Sequence, residues 1–268
     1  MSNLIRSQVY NTDSDTDSDD DKKKKKKKKK KIPKASKQIH AIQNKDKRGH
    51  EMWDATRKKN LANFPSPARI LLLGPCGVGK STVIKNLIMQ KSPRFDEVFL
   101  IHEDAEYTKE YDDLEPTQKL SEVPPLEFWE YEGKHIRRAV ICDDLELTSA
   151  HKERLKNLAI MFRYASTHKG LTIYFAHQSF FDVMNLIKKM ANVYILWKPR
   201  AYSELSMIEN RVGMKKNTLK DLFKTVATNH KDSITIDLTE NSPAKVRLNL
   251  FKRIEMQNSS DEDSDELD

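Results

Sequence analysis

The stretch Arg69-Ile-Leu-Leu-Leu-Gly-Pro-Cys-Gly-Val-Gly-Lys-Ser-Thr82 decides the fold. A mostly apolar run from Arg69 to Leu73 ends at a glycine, and the residues from Gly74 to Ser81 then match the pattern G-x-x-x-x-G-K-[ST]. A segment with apolar residues at helical spacing follows directly. This order predicts a buried strand, a phosphate-binding loop and a helix.

The residue types in this loop suit a nucleotide phosphate. Glycine adopts positive φ without strain, and successive backbone N–H groups can then close on phosphate oxygens. Lys80 would reach the β- and γ-phosphates, and the Ser81 hydroxyl would bind Mg²⁺. A plain glycine turn before a helix is the alternative, and it leaves Lys80 and Ser81 unexplained. We therefore expect ATP and Mg²⁺ as cofactors, with the nucleotide contacted by Gly74, Pro75, Cys76, Gly77, Val78, Gly79, Lys80, Ser81 and Thr82.

Charge divides the chain into three parts. Residues 1–50 contain 16 Lys and Arg against 7 Asp and Glu, with an unbroken lysine run from 22 to 31. Residues 257–268 contain six acidic residues and no basic one. Neither end can bury much apolar surface, so we expect a disordered acidic and poly-lysine arm over 1–50, one folded domain over 51–256 and a disordered acidic tail over 257–268. The lysine run would bind nucleic acid, direct nuclear import, or remain a solvated tract without a partner.

Composition also excludes several classes of protein. No run of 18 apolar residues occurs, so no membrane-spanning helix and no membrane partner are expected. Residues 1–10 contain no apolar segment of the kind found in a secretory signal. The two cysteines, Cys76 and Cys142, argue for a reducing compartment and against a disulfide scaffold.

Four further apolar runs alternate with helical patterns along most of the chain, which predicts a mostly parallel sheet covered on both faces. These strands are expected at 97–101, 139–142, 171–176 and 193–197. Near the end, Ile234 and Ile236 alternate with polar residues, as do Val246 and Leu248, which predicts a C-terminal β-hairpin. Residues 102–134 are charged and irregular, and they indicate an insertion over one sheet face without an assignable role.

Polar residues follow two of the predicted strands. Asp143 and Asp144 come directly after the strand at 139–142, and at the carboxyl end of a parallel strand they would lie where ligands bind. With a phosphate loop upstream, Asp143 would hold Mg²⁺ through water, and Asp144 would orient or deprotonate the attacking water. Thr148 or Ser149 would then cap a helix that runs to about residue 167. Gln178 follows the next strand and would bond the γ-phosphate or the attacking water, unless it is an ordinary loop residue.

Together these motifs resemble the genome-packaging ATPases of large and medium double-stranded DNA viruses. This group is the poxvirus-type branch of the FtsK–HerA superfamily and includes proteins of virophages and Polinton-like elements. The resemblance rests on the phosphate loop, on Val-Ile-Cys-Asp-Asp ending at Asp144, on the run from Ser166 through Gln178, and on Val193 to Arg200. It covers residues 65–225 and neither tail.

The resemblance implies an α/β fold of the phosphate-loop NTPase class, of the ASCE type and RecA-like, with three layers. In this fold the fourth strand is inserted between the first and the third. It also implies a homo-oligomeric ring, expected to be a hexamer, that drives double-stranded DNA into a preformed capsid and docks on a capsid or portal-site protein. Such a protein would act inside the infected cell, in the nucleus or a viral factory, and could travel with the virion. Gln178 would sense the γ-phosphate.

The same group uses an arginine from a neighbouring subunit, and here the chain departs from the pattern. Many relatives have Arg-His before the fourth strand, where this chain has Thr167-His168. Arg163, one helical turn earlier, is our candidate, with Arg200 and Arg211 as alternatives, and His168 is either an interface donor or a turn residue. Two other functions stay open, namely a nucleotide-gated DNA-binding adaptor with little hydrolysis and a helicase-like or partition-type ATPase.

Overall fold

The structure is a computed structural model that describes residues 60–130, 136–239 and 242–256. The arm expected at 1–50, the acidic tail at 257–268 and the first nine residues of the expected domain lie outside these ranges. No helix in the described ranges is long and apolar enough to cross a membrane.

One sheet of nine strands organises the described residues, in the order β3-β2-β4-β5-β1-β6-β7-β8-β9. The first six strands in this order are mutually parallel, and the last three continue the sheet in antiparallel pairing. The strands are β1 Arg69–Leu73, β2 Glu97–His102, β3 Gln118–Leu120, β4 Arg138–Asp143, β5 Leu171–His177, β6 Val193–Trp197, β7 Ser233–Asp237, β8 Val246–Leu248 and β9 Lys252–Arg253.

Helices cover both faces of this sheet, because side chains of each central strand alternate between two apolar clusters. One cluster joins Leu71 and Val140 to the helices α2, α4, α5 and α6, and the other joins Ile70 and Ile141 to α1. The helices are α1 Lys80–Met89, α2 Lys152–Ile160, α3 Ser166–His168, α4 Asn185–Met190, α5 Tyr202–Val212 and α6 Thr218–Thr225. The predicted three-layer α/β fold is therefore confirmed.

The strand order confirms the most specific topological expectation. The strand expected at 171–176 was to lie between the first strand and the strand that precedes the two aspartates, and β5 does pair with β1 on one side and β4 on the other. The C-terminal hairpin is confirmed as β7 and β8, which pair antiparallel. All six parallel strands end at one edge, so the residues that follow β1, β4, β5 and β6 are brought to the same side of the molecule.

Three local expectations differ from the structure. The segment 102–134 does more than lie over a face: Val123 and Trp129 pack in the apolar cluster on one face, as expected, but the segment also contains a strand, β3, which lengthens the sheet beyond β2. Helix α2 begins at Lys152 and not near Thr148 or Ser149, because a turn closed by the His151 N–H and the Thr148 carbonyl precedes it. Its continuation to His168 is not a regular α-helix, since residues Met161–Ala165 form one π-helical turn.

A buried arginine ties α2 to the two loops that follow β2 and β3. The Arg154 guanidinium is almost fully buried and binds Glu122 through two bonds, Nη2 to Oε1 at 2.6 Å and Nε to Oε2 at 2.9 Å. It also pairs with Glu103. The hydrogen bond from Arg154 lowers the pKa of Glu122. This bidentate pairing fixes α2 against the carboxyl edge of the sheet.

Replacing Arg154 with methionine should lower the free energy of unfolding by about 1–2 kcal/mol at neutral pH, less than for a fully buried pair because both glutamates are partly exposed. Folding lowers the pKa of Glu122, so its ionised carboxylate stabilises the folded protein at pH values above the ordinary pKa of a glutamate. This contribution to the free energy of unfolding is lost as the pH falls through the lowered pKa. Urea unfolding curves of the variant and the wild type should therefore converge as the pH drops below about 4. Lys152→Met, on the exposed side of the same helix, is the control. If the free energy of unfolding differed between variant and wild type by the same amount at pH 7 and at pH 3, the stabilising role of this ion pair would be contradicted.

Candidate nucleotide site

The loop between β1 and α1 has the backbone that a phosphate-binding loop needs. Gly77 and Gly79 have φ values of 77° and 104°, which side chains other than glycine rarely adopt. Gly74 is required for a different reason, since a Cβ atom there would lie 2.7 Å from the Cβ of Trp197 on β6. Cys76 and Gly77 are exposed at the tip of the loop. The loop is thus shaped by two left-handed glycines and one close backbone approach.

Lys80 is folded into the loop that precedes it. Its ammonium group donates to the Gly74 carbonyl at 2.8 Å and to the Pro75 carbonyl at 3.0 Å, and the side chain is buried. The cation therefore lies at the centre of the loop, where it would face the phosphates of a bound nucleotide. Its role toward the phosphates stays a prediction from the sequence.

Asp143, the last residue of β4, is a buried carboxylate with two hydrogen-bond donors. Its Oδ2 accepts the Tyr111 hydroxyl at 2.6 Å, and its Oδ1 accepts the Asp144 N–H at 3.1 Å. Burial raises the pKa of Asp143, while the Tyr111 bond and the Lys80 charge oppose that rise. The structure thus brings Asp143 and Lys80 into one electrostatic environment, as the motif spacing predicts.

Asp144 occupies a backbone conformation that is uncommon for a residue with a side chain. Its φ is 50°, in the left-handed region, and its side chain is exposed. Aspartate and asparagine tolerate this region better than other residues do, but the conformation still concentrates strain. The turn carries the second carboxylate out of the sheet and toward solvent, where a reacting water would be available.

The last residue of β5, His177, and the residue after it, Gln178, lie beside the start of the loop. The Gly74 N–H donates to the His177 carbonyl at 3.2 Å, and Gln178 lines a small crevice together with Gly74 and Trp197. Gln178 is exposed and therefore free to meet a ligand at this edge. Burial lowers the pKa of His177, whose charged neighbours include Asp144 and Lys80. The sequence drew attention to Gln178, and the structure adds a neutral imidazole next to it.

The arginine candidates fall in two different places. Arg163 is exposed on the π-helical turn, in the part of the connection that approaches the start of β5, and so lies away from the loop of its own chain. Arg200 follows β6 and is exposed at the same edge as the loop. Arg211 is exposed in the last turn of α5. His168 stacks on Tyr164 with ring centroids 4.2 Å apart. Arg163 is thus not brought together with Lys80 within one chain.

Tyr111 is the site residue that the sequence did not reveal. It is completely buried, and its hydroxyl bonds to Asp143 from a segment that is irregular in sequence. Neither a motif nor a periodic pattern marks it, and it is separated from Asp143 by 32 residues. Only the tertiary fold brings the two together.

The donor set at this edge suits Mg²⁺ bound together with a nucleotide. The described ranges contain no group of three or more His, Cys, Asp or Glu residues that could hold a metal ion by themselves. Mg²⁺ does not need such a cage, because it keeps several waters and takes one or two protein oxygens plus substrate phosphates. The Ser81 hydroxyl and the Asp143 carboxylate are oxygen donors of the required kind.

Comparison with known proteins gives structural matches only. No family model matches the chain, and no curated protein sequence matches it. The structure is similar to the genome packaging NTPase B204 of Sulfolobus turreted icosahedral virus 2 in complex with AMPPCP, at 20% identity over 70% of this chain and 99% of that one, with a TM-score of 0.44. It is also similar to the DNA-packaging ATPase B204 of Sulfolobus turreted icosahedral virus, at 16% identity over 69% and 97% of the two chains, with a TM-score of 0.46.

A bacterial protein matches at a comparable level. The cytoplasmic domain of the type VII secretion ATPase EccC of Thermomonospora curvata is 13% identical over 73% of this chain and 27% of that chain, with a TM-score of 0.46. The two viral proteins are named as packaging enzymes and the EccC protein as a secretion ATPase.

Substituting alanine for Gly74 should destabilise the domain, because the new methyl group would lie 2.7 Å from the Trp197 Cβ, an atom that cannot rotate away. Crowding of this kind costs about 1–3 kcal/mol, which should appear as a lower thermal unfolding midpoint. Cys76→Ala, at the exposed tip of the same loop, should leave the midpoint unchanged. An unaltered midpoint for Gly74→Ala would show that β1 and β6 do not approach as closely as described.

Proposed function

We propose that this chain is a magnesium-dependent ATPase that works as a ring of identical subunits and drives double-stranded DNA into a viral capsid. The observation that carries the ATPase part is the arrangement at the carboxyl edge of the sheet. Lys80 fills the phosphate loop after β1, Asp143 ends β4, which is separated from β1 by β5 alone, and Asp144 follows Asp143. Phosphoryl transfer asks a protein mainly for positioning and for compensation of negative charge, and these residues offer both.

The roles of the residues follow from their positions. Backbone N–H groups of the loop and the Lys80 ammonium would bind the β- and γ-phosphates, and Gln178 would contact the γ-phosphate from the adjacent strand end. Ser81 and, through water, Asp143 would hold Mg²⁺, which neutralises charge on these phosphates when it is bound. Asp144 would orient the attacking water and accept its proton, while the bond from the γ-phosphorus to the bridging oxygen breaks and ADP leaves.

The proposed ring would supply an arginine from a neighbouring subunit, and Arg163 is our candidate for this residue. Charge that develops on the transferred phosphoryl group is commonly stabilised by an arginine, and an arginine supplied by another subunit can raise the rate by about 10³–10⁵. Arg163 is exposed, which an arginine that serves a neighbouring subunit requires. Arg200 and Arg211 remain the alternatives for this role.

DNA packaging is the narrower part of the proposal, and the motif resemblance supports it. The residues 51–256 carry 32 Lys and Arg against 27 Asp and Glu, a mild excess that is compatible with contact to phosphates. The protein would act inside the infected cell, in the nucleus or a viral factory, with a capsid or portal-site protein as its docking partner. Stimulation of hydrolysis by duplex DNA separates this function from a DNA-binding adaptor, and strand displacement would favour a helicase-like ATPase.

Replacing Lys80 with alanine should reduce ATP turnover by about 10²-fold or more, because the only buried cation of the loop is lost. Asp144→Asn should keep nucleotide binding and reduce turnover by about 10²–10⁴, the usual contribution of a general base. Asparagine also tolerates the left-handed backbone at this position, so the variant should fold normally. The measurement is phosphate release with and without duplex DNA, and Lys156→Ala on the exposed side of α2 is the control. Undiminished turnover in Lys80→Ala would refute the ATPase assignment.

Mixing two inactive variants should test the ring. Arg163→Ala subunits keep Asp144, and Asp144→Asn subunits keep Arg163, so a mixed ring regains complete sites at some interfaces. We expect the mixture to hydrolyse ATP several-fold faster than the sum of its parts, at protein concentrations that allow assembly. Lys169→Ala, beyond the π-helical turn, should remain active by itself. A mixture no more active than its components would exclude Arg163 and direct the same test to Arg200 and Arg211.

A further inference from the structure

The segment between β2 and β3 reaches across the carboxyl edge of the sheet and places one tyrosine in the nucleotide site. Tyr111 lies in the middle of this segment, just before a short helical turn at Asp112–Leu114. That turn is fastened to α1 by an ion pair between Lys85 and Asp113 at 3.0 Å. The Tyr111 ring packs in the same apolar cluster as Ile84 of α1 and Ile141 of β4. The ring is therefore fixed between the helix of the phosphate loop and the strand of the two carboxylates.

The Tyr111 hydroxyl is a fixed donor to Asp143. The O–H donates to Oδ2 over 2.6 Å, and burial, reinforced by the Asp143 charge, raises the pKa of the phenol well above its usual range, so it keeps its proton. The other carboxylate oxygen is held by the Asp144 N–H. With a donor on each oxygen, the carboxylate plane of Asp143 cannot rotate freely.

Tyr111 also stands between the two elements that carry the metal donors. Ser81 and Asp143 are the two residues that would hold Mg²⁺, and they stand on different elements, α1 and β4. The Tyr111 ring lies in one apolar cluster with residues of both elements, and its hydroxyl binds the donor on β4.

We propose that Tyr111 is a positioning residue for the metal, which holds the Asp143 carboxylate in the orientation that a nucleotide-bound Mg²⁺ requires. This inference rests on the proposed function for the existence of a magnesium–nucleotide site. It assigns a role to the segment 103–117, for which the sequence offered none. Partners of this kind, which orient a ligand without touching the metal, commonly change metal affinity by about 10–100-fold when they are removed.

The test is Tyr111→Phe in the full-length chain, which keeps the ring and removes only the hydroxyl. The affinity for a fluorescent non-hydrolysable ATP analogue is measured in EDTA. Binding of the same analogue is then followed while MgCl₂ is added. The affinity in EDTA should equal that of the wild type, and the Mg²⁺ concentration at half-saturation should rise about tenfold or more. Tyr194→Phe is the matched control, because its buried hydroxyl bonds to the Lys188 carbonyl on another part of the sheet and should not affect the Mg²⁺ response.

A double-mutant cycle makes the test independent of general destabilisation. If Tyr111 acts through Asp143, Tyr111→Phe should have no further effect on the Mg²⁺ response in an Asp143→Asn background. A loss of folded protein would instead lower binding in EDTA and in Mg²⁺ alike.

The outcomes separate this proposal from the one it rests on. A Tyr111→Phe titration that superimposes on the wild type, or that shifts to lower Mg²⁺, would overturn the positioning role while the site itself stands. A wild-type chain that binds no nucleotide would overturn the proposed function, and the role of Tyr111 with it.

Discussion

The position of β1 between β5 and β6 is the constraint on which the site depends. Leu73, its last residue, is in register with His177 on one side and Leu196 on the other. Since β1 is paired along both edges, it cannot slide without breaking two ladders at once, so the phosphate loop starts at a fixed point. Gly74 then passes so close to Trp197 that even a methyl group does not fit. Position and direction of the loop are therefore set by the sheet before any ligand is bound.

The charged groups at the carboxyl edge of the sheet influence one another. Burial of Asp143 and repulsion from its neighbours Asp144 and Glu110 favour the neutral form of Asp143. The Tyr111 hydroxyl and Lys80 act in the opposite direction. The polar groups of the site are therefore interdependent, although they come from the start of α1, an irregular segment and the end of β4. Such an arrangement is ready for the added charges of phosphate and metal, because the protein dipoles are already oriented.

The sequence predicted the fold well, because the signals that specify it are local. Apolar runs of strand length mark β1, β2, β4, β5 and β6, and alternation marks the C-terminal hairpin. Lys80 and Asp143 could be identified since glycine spacing and an acid after a buried strand are short motifs with a physical meaning. The placement of β5 between β1 and β4 needed the family resemblance, because strand order depends on long-range pairing that no local pattern encodes.

The remaining features could not be read from the sequence for definite reasons. Tyr111 contacts Asp143 only through tertiary structure, and nothing distinguishes it from Tyr107 in the same segment, which is exposed. Strand β3 is three residues long and only partly buried, so it lacks an apolar signature. The start of α2 was misplaced because Thr148 and Ser149 are good capping residues, whereas the structure uses them in the preceding turn.

The π-helical turn at Met161–Ala165 has a consequence for how this chain is aligned with others. Such a turn fits one more residue into the helix than a regular α-helix would hold over the same length. Phe162 and Ala165 remain buried while Arg163 and Tyr164 face solvent, so the extra residue is accommodated without disturbing the core. A relative with a regular helix here would align only with a one-residue gap inside the helix. Positions before Met161 would then be offset by one when counted back from β5, whereas Thr167 and His168 follow the turn and keep their columns.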